Sequence, residues 1–581
     1  MTGLRVRGSG PHGAARPVLP DPPTGEPSFL TDGGGNLVWL AEIEGYREGA
    51  VELTFDHGHG ARPRGALSRE FEPQESTRTF RVSNKGYGAA AGSPVGEAFY
   101  APLIATAPTV ERRAALDPLR TSVGAAWGEM VLANPVDGQA GIWDATVREY
   151  AVDGYPLRVL LGAKRYDRQR GLWCDELYET FRTVFEGVAA DWWIAEDGVH
   201  VGLRDRSHLL ERPVQDRLYA GTGGLEGTPD MAGLPVPKLR GSALNVTPVL
   251  VDPVARIYQY TDGPGEVLNL YERGIDASQG GIVRQGDTDD LYSGSTDAGK
   301  FRTDNSRGLL QLGSPPTGAI TIDCKGSFPK AGYQDTPASI ARFLLSEDLG
   351  LGDGALDVSS FLAIDAVAPF EAGLHVPAEP MDAVEALSRV LRSVAATLFI
   401  GRSGRLRAAR IAPPFRVPEA TYTEAQIVSA RPLRRPEPLD PVVGRWAVGY
   451  ARNHTVQASG LSAAVDSDRR AFLAKAYREV PWVSAEVLNK HRRPATPPRL
   501  DTILLNRSDA AAVGEQLGAL WGADVRPWEL EMAVQPLRHD LGAAIALDFP
   551  LGGLRGGRRA VVVGERIRPA DGNKVTLQVL A

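Results

Sequence analysis

Gly294, Gly299 and Lys300 in the stretch LYSGSTDAGKFRTD fall on the spacing G-x-x-x-x-G-K of a phosphate-binding loop. Such a loop needs an apolar strand before it, a Ser or Thr after the lysine to hold magnesium, and a helix whose N-terminus faces the phosphates. Phe301 stands where the hydroxyl is required. The acidic QGDTDD precedes the stretch, and RTDNSRG follows it without helical periodicity. The stretch therefore reads as an exposed turn whose spacing is accidental. A second run, YAGTGGLEG at 219–227, has glycines spaced as in a dinucleotide fingerprint. The helix such a fingerprint requires is forbidden by Pro229, Pro235 and Pro237. The run reads as a backbone device instead, providing turns and close chain approach.

The other reactive residue types give equally plain readings. Asp56, His57 and His59 in DHGHG set two imidazoles two residues apart, but Gly58 and Gly60 mark a turn and no third ligand is near in sequence. DTDD at 287–290 lacks the bidentate Glu that closes a calcium loop. Cys174 in LWCDELY sits beside carboxylates, which raise a thiol pKa rather than activate it. No Ser lies in a strand-turn-helix elbow. Carboxylate pairs arise by chance among 71 Asp and Glu, so they do not single out a glycosidase. No catalytic, cofactor or metal constellation survives, and the chain reads as a non-enzyme.

Composition says what must position these residues. The chain has 581 residues, which at about 100–200 residues per domain implies three to five domains. Its 65 Gly and 43 Pro favour many turns and short strands over long helices. The net charge of -7 and the lack of a basic stripe argue against binding nucleic acid through phosphate neutralisation. Cys174 and Cys324 form no metal spacing and read as reduced, buried thiols of a protein made in a cytoplasm. No apolar run reaches the length of a membrane span, and the N-terminus has no secretory h-region.

Residues 1–30 read as a flexible or extended arm. Residues 31–205 read as a β-rich domain: NLVWLAEIEGY, AVELTFDH and LRVLLGAK are strands, and 181–205 is a meander with a turn at Asp197-Gly198. In that meander Trp192 and Trp193 point to opposite faces, one to the core and one to an outer surface. Residues 206–335 form a loop-rich connecting domain with short strands. Residues 336–412 form a small α+β module, opened by a helix with Thr336 as N-cap and Pro337 at its first position. Its second helix carries the stripe Val384, Leu387, Leu391 and Val394, followed by a hairpin through GRSG. Residues 413–440 read as a Pro-rich linker. Residues 441–581 read as a second β-rich domain, with helices over SDRRAFLAKAYREV and over NRSDAAAVGEQLGALWGADV, the latter with Ser508 as its cap, ending in four strands of a barrel or sandwich. The fold class is α+β, β-rich and multidomain, with two barrel-like or sandwich-like domains flanking the rest.

Residues 216–263 as a unit resemble a segment of the tail hub, or baseplate hub, proteins of long-tailed bacteriophages and prophages. The resembling positions are Tyr219, Gly221, Gly223, Gly224, Gly227, Pro237, Arg240, Gly241, Asn245 and Pro248, with the pair Tyr258-Gln259. Further blocks occur in the same order: LVWLAEIEGY with LTFDHGHGARP, GEMVLANPVDGQ, GLLQLGSPPTGAITIDCKG with TPASIARFLL, VGYARNHTVQ, KAYREV, DTILLNRSDAAAVGEQLGALWG and the closing LRHDLGAAIALDFPLGGLRGGRRAVVVGERI. The blocks span about 35–581; the arm and DTDDLYSGSTDAGKFRTD depart from the pattern, and the role of 264–305 stays open. The resemblance implies a homotrimeric virion protein at the distal tail tip, assembled in the host cytoplasm. Two barrel-like domains per subunit would form a near-sixfold ring on the tail tube. The implied partners are the distal tail protein and tube, tape-measure protein and receptor-binding or fibre proteins, with DNA passing unbound during ejection. An acidic balance suits such a channel, because like charge repels phosphate. A peripheral baseplate or envelope-binding component and a wall hydrolase stay open as alternatives.

Overall fold

The computed structural model describes residues 28–30, 36–47, 76–119, 124–138, 140–326, 328, 332–411 and 416–581. The DHGHG motif, the AVELTFDH segment and the arm through residue 27 lie outside the described residues. Strands dominate, arranged in several sheets with short helices between them, in keeping with the β-rich α+β class.

The largest sheet is built around Asn36–Arg47, which pairs antiparallel with Pro156–Asp167 on one side and Ser76–Ser83 on the other. Val38, Trp39, Leu40 and Ala41 are buried in succession, so both faces of this strand are covered. Trp39, Ala41 and Ile43 enter a large core, while Val38 and Leu40 enter a smaller one with Tyr87, Tyr100 and Phe181. Beyond Pro156–Asp167 the sheet continues through Arg182–Ala195, Gly198–Arg204, Glu129–Leu132 and Ile104–Thr106. Register shifts at Val159/Leu160 and Ala189/Asp191 add the local twist that curls such a sheet. The hairpin turn falls one residue earlier than expected. Ala195 pairs with Gly198, so Glu196 and Asp197 form the loop, and Gly198, at φ +147, opens the return strand.

A second sheet closes the chain. Arg558–Arg568 pairs along one edge with Lys574–Leu580. Its other edge is shared: Arg558–Val561 takes Ala544–Leu547, and Gly564–Ile567 takes Val110–Arg113 from the N-terminal region. Trp528, Leu530, Leu577 and Val579 of this sheet pack in the same core as Trp39 and Ile43 of the first. Trp39 Nε1 donates to Asn573 Oδ1 at 2.7 Å across the junction. The two β-rich regions thus share one hydrophobic interior. Within the Pro-rich stretch, Thr421–Thr423 and Ile427–Pro432 join the closing sheet as strands rather than running free.

Between these sheets, Lys238–Val246 is flanked by Ile320–Gly326 and Gly373–Val376, so one strand couples the connecting region to the α+β module. Helix Pro337–Phe343 begins as its sequence indicates: Thr336 caps it in a capping box with Ser339, and Pro337 occupies the first turn. Helix Ala383–Arg392 buries Leu387 and Leu391, and Ala396–Ile400 pairs with Leu406–Arg410 around GRSG. Two helix expectations need correction. The helix at SDRRAFLAKAYREV ends at Leu473, because Arg478–Val483 pairs as a strand with Arg445–Tyr450, where β-branched valines suit a pleated surface. The later helix is Arg507–Trp521 with Asn506 at the N-cap, which places Ser508 inside its first turn.

Candidate functional site

The segment at 219–248 has no cleft of reactive groups; it is a buried joint. Tyr219 is buried, and its hydroxyl donates to Gln259 Oε1 at 2.9 Å, while Gln259 Nε2 donates to the Thr261 carbonyl. Burial pushes the Tyr219 phenol above its ordinary range, so it stays a neutral donor. Gly221, Gly223, Gly224 and Gly227 all have φ between +59 and +94, where a Cβ is strained. Their amides close the turn: Gly221 N donates to Glu226 O and Gly223 N to Gly227 O. A Cβ at Gly221 would lie 2.7 Å from that of Ala232, so this turn combines left-handed backbone with close chain approach.

Pro237, buried, leads into the Lys238–Val246 strand, which carries two cations inward. Arg240 reaches Asp348 at 2.5 Å and Asp262 at 3.1 Å, and Lys238 reaches Asp348 at 2.8 Å. Asp348 stands at the end of the π-turn Leu344–Asp348 that extends the capped helix. The cations hold Asp262 below its usual pKa against the opposing effect of burial, and the carboxylates raise that of Arg240. This is a buried ionic lock between strand and helix, with each charge paired. Gly241, at φ +76, lets the module's backbone in: a Cβ there would lie 2.2 Å from the Ala372 carbonyl oxygen.

Asn245 completes the joint. It is fully buried with φ +54, a left-handed conformation that Asn tolerates better than most residues. Its amide nitrogen donates to Asn453 Oδ1 and to the Thr455 carbonyl, both at 2.7 Å. Its side-chain oxygen accepts from Thr321 at 2.7 Å and Arg469 at 3.0 Å. Asn453 in turn donates to the carbonyls of Leu473 and Lys475. One side chain thus ties the connecting region to residues 453–475. Pro248 is buried just beyond it. Nearby, His375 and His454 meet edge to face, with ring centroids 5.1 Å apart.

A second ionic cluster gave no sequence signal, because its members lie hundreds of residues apart. Arg112 donates to Asp540 and Glu565, both at 2.7 Å, Arg402 pairs with Glu565, and Arg407 reaches Asp540 at 3.1 Å. It joins the N-terminal region, the module and the closing sheet. Burial opposes ionisation of Glu565, but Arg402 and Arg112 hold its carboxyl below the usual range.

The glycine run at 219–227 is thus part of this joint, and Leu291 of the LYSGSTDAGKFRTD stretch packs in one core with Tyr219. Lys300 opens a strand rather than a helix, and its Nζ pairs with Asp297 at 2.9 Å. Asp287 accepts from Thr303 and from the Asn305 amide. Among the described residues no group of three His, Cys, Asp or Glu is placed to hold a metal, and no helix is long and apolar enough to cross a membrane. Cys324 is buried, which pushes its thiol pKa well up. Cys174 is only half-buried, on an outer hairpin strand, where full burial had been expected. Trp192 is buried and donates to the Tyr150 carbonyl, whereas Trp193 is 42% exposed and stacks on His200.

No protein-family model matches this chain, and no curated protein matches it. Among solved structures it is similar to the 43 kDa tail protein of prophage MuSo2 from Shewanella oneidensis, with 10% identity and a TM-score of 0.33 over 83% of this chain and 95% of that one. It is similar to a tail protein from Neisseria meningitidis MC58, with 10% identity and a TM-score of 0.32 over 84% of this chain and 94% of that one. It is also similar to a chain of the virion of a native gene transfer agent particle, with 13% identity and a TM-score of 0.34 over 63% of this chain and 86% of that one.

Proposed function

We propose that this chain is a structural protein of a phage-type tail, acting as the hub at its distal end. Three copies would close the tail tube in a near-sixfold ring. The ring would bind the distal tail protein and tape-measure protein, anchor receptor-binding or fibre proteins, and let DNA pass without holding it. The observation that carries this reading is that the sequence blocks resembling the hub family, although scattered along the chain, interlock as elements of one scaffold. The Asn36–Arg47 and Glu129–Leu132 blocks share the large sheet. Lys238–Val246 pairs with the Ile320–Gly326 block. Asn245 meets Asn453 and Thr455 of the VGYARNHTVQ block. The closing VVVGERI block takes up the N-terminal strand Val110–Arg113. Buried charges that lock segments to one another suit a body that must transmit load, and the net charge of -7 suits a bore that repels phosphate.

The test is antibody–gold labelling of particles induced from the source strain, followed by cryo-electron microscopy of the labelled end. Gold confined to the distal tip with threefold density is the expected result. Gold along the tail flank would indicate a peripheral component. Protein free in the lysate and absent from particles would overturn the tail reading and return attention to wall hydrolysis, read out as turbidity loss with purified peptidoglycan.

A further inference from the structure

Residues 453–476 leave the body of the molecule and return to it at one neck. Asn453 N donates to the Ala476 carbonyl at 2.9 Å, and Ala451, just before the neck, sits at φ +45, a left-handed conformation that its Cβ disfavours. Between these ends the chain is mostly exposed and has a small core. Val465, Phe472 and Leu473 are buried, packed with Leu461 against Leu244 and Ile275 of the body. Polar contacts complete the attachment. Asn453 and Thr455 accept from the Asn245 side-chain amide, and the Ser462 amide donates to the Arg273 carbonyl. The Arg469 guanidinium lies 3.7 Å from the centre of the Tyr271 ring and donates to Asn245 Oδ1. A segment with so few buried apolar contacts opens at lower free energy than the sheets beneath it.

At the neck, His454 N donates to the Leu244 carbonyl at 3.3 Å, and its ring meets that of His375 edge to face. His375, in strand Gly373–Val376, is 5% exposed and its Nε2 has no hydrogen-bond partner; His454 is half-buried. The charges that act on the two rings are positive: Arg452 on both, and Arg389 of helix Ala383–Arg392 on His454. Lys238 and Arg240 of the adjacent strand stand opposite Val376 and Leu374, so they project from the other face of the sheet from His375, which stands opposite Leu239. Arg342, on the capped helix packed against this strand, acts on Asp365. The carboxylates of the surrounding segments have partners of their own: Glu385 pairs with Arg389, Asp501 pairs with Arg499, and Glu371 accepts from Asn506. Burial raises the Tyr477 phenol, which stays neutral beside Arg392 and Arg452. A proton placed on either imidazole therefore meets Arg452 and the other ring rather than a carboxylate.

We infer that residues 453–476 form an acid-released strap: protonation of the His375–His454 pair opens the neck and lifts the strap from strand Lys238–Val246, uncovering Leu244, Ile275 and the Tyr271 ring. The strap does not depend on the tail reading. The sign follows from the surroundings of the rings. The His375 pKa is down to about 3 and that of His454 is lowered as well, so the closed strap is supported above the ordinary value of about 6.5 and loses that support as pH falls. A histidine that regains its ordinary pKa on opening favours the open strap about thirtyfold more at pH 5.0 than at pH 7.5.

The experiment is hydrogen–deuterium exchange of the full chain at pH 7.5 and 5.0, with labelling times corrected for the intrinsic dependence of exchange on pH. Peptides from 455–475 are expected to lose protection at least about tenfold at pH 5.0, while peptides from Lys574–Leu580 keep theirs. Replacing both rings, His375→Leu with His454→Phe, is expected to cut the ratio for the strap below about threefold. Equal protection of the strap at the two pH values would overturn the inference. So would a loss shared equally by Lys574–Leu580, which is global unfolding, or a ratio that survives in the double variant. Should the double variant fail to fold, His454→Gln alone is read in its place. A several-fold smaller ratio is then expected, and an unchanged ratio overturns the inference.

Discussion

At the scale of single residues, the buried polar groups set when this molecule is stable. Burial pushes the His375 pKa down to about 3 and the His454 pKa well below its usual value, with the Arg452 charge acting in the same direction on both. A histidine whose folded pKa is depressed supports the fold above its unfolded pKa of about 6.5 and loses that support as pH falls toward the folded value. Buried His539 acts in the same direction, while His200, raised by Asp197, acts oppositely. The melting temperature is therefore expected to fall as pH drops from 6.5 toward 5, at most about 1.4 kcal/mol per pH unit for each neutral histidine. His375→Leu should flatten that slope. A wild-type melting curve that does not move between pH 7.5 and 5 would contradict this account. Gly241 gives a test of backbone geometry. Gly241→Ala must place a Cβ 2.2 Å from the Ala372 carbonyl oxygen in a left-handed conformation, and is expected to cost about 2–4 kcal/mol in urea unfolding. Lys300→Ala removes only a surface pair and should stay within about 0.5 kcal/mol of the parent. Saturable ATP binding abolished by that substitution would reinstate the phosphate-loop reading.

At the scale of elements, the Lys238–Val246 strand depends on the π-turn beside it. Asp348→Ala leaves Arg240 with Asp262 alone and Lys238 with Asp262 and the exposed Asp216. Breaking such a buried pair from one side costs about 3–5 kcal/mol, to be read as a drop in the urea midpoint at unchanged m-value. A loss under 1 kcal/mol would mean that water already shares these charges. Elements defined by local chemistry were legible in the sequence: the Thr336 cap, the Leu387 and Leu391 stripe, the GRSG hairpin and the split between Trp192 and Trp193. Elements decided by distant partners were not. Arg478–Val483 continues a helical pattern in sequence but is claimed by Arg445–Tyr450, and residues 421–432 look like linker until Ala544–Asp548 and Pro527–Met532 pair with them. The candidate joint was legible as glycines needing unusual backbone and as a run of resembling positions. Its partners Asp348, Asn453 and Arg469 were invisible, because a buried charge or amide finds its partner in space rather than along the chain.

At the scale of the whole molecule, the two β-rich regions are bound by three devices, the last two of which share Arg112 and Glu565. They share the core that holds Trp39, Val159, Trp528 and Leu577. They share the edge of Arg558–Arg568, which takes up Val110–Arg113. They share the cluster of Arg112, Asp540 and Glu565. A fragment ending at residue 205 would expose Trp39 and Ile43 and leave Arg112 without its carboxylates, so it is expected to be aggregation-prone and to lack a cooperative transition. The intact chain should melt with residues 36–204 and 416–581 in one calorimetric step. Glu565→Gln should loosen that coupling, since it removes one of the two carboxylates facing Arg112 and the one facing Arg402. Its folded pKa is depressed, so its contribution is present above the ordinary value of 4.5 and lost as pH falls below it. The acid transition of the wild type is then expected in two ranges, a histidine-driven decline below about pH 6.5 and a steeper loss below 4.5, with Glu565→Gln abolishing part of the second only. Two well-separated calorimetric peaks in the wild type at neutral pH, each retained in the matching fragment, would show that the shared core does not couple the two regions.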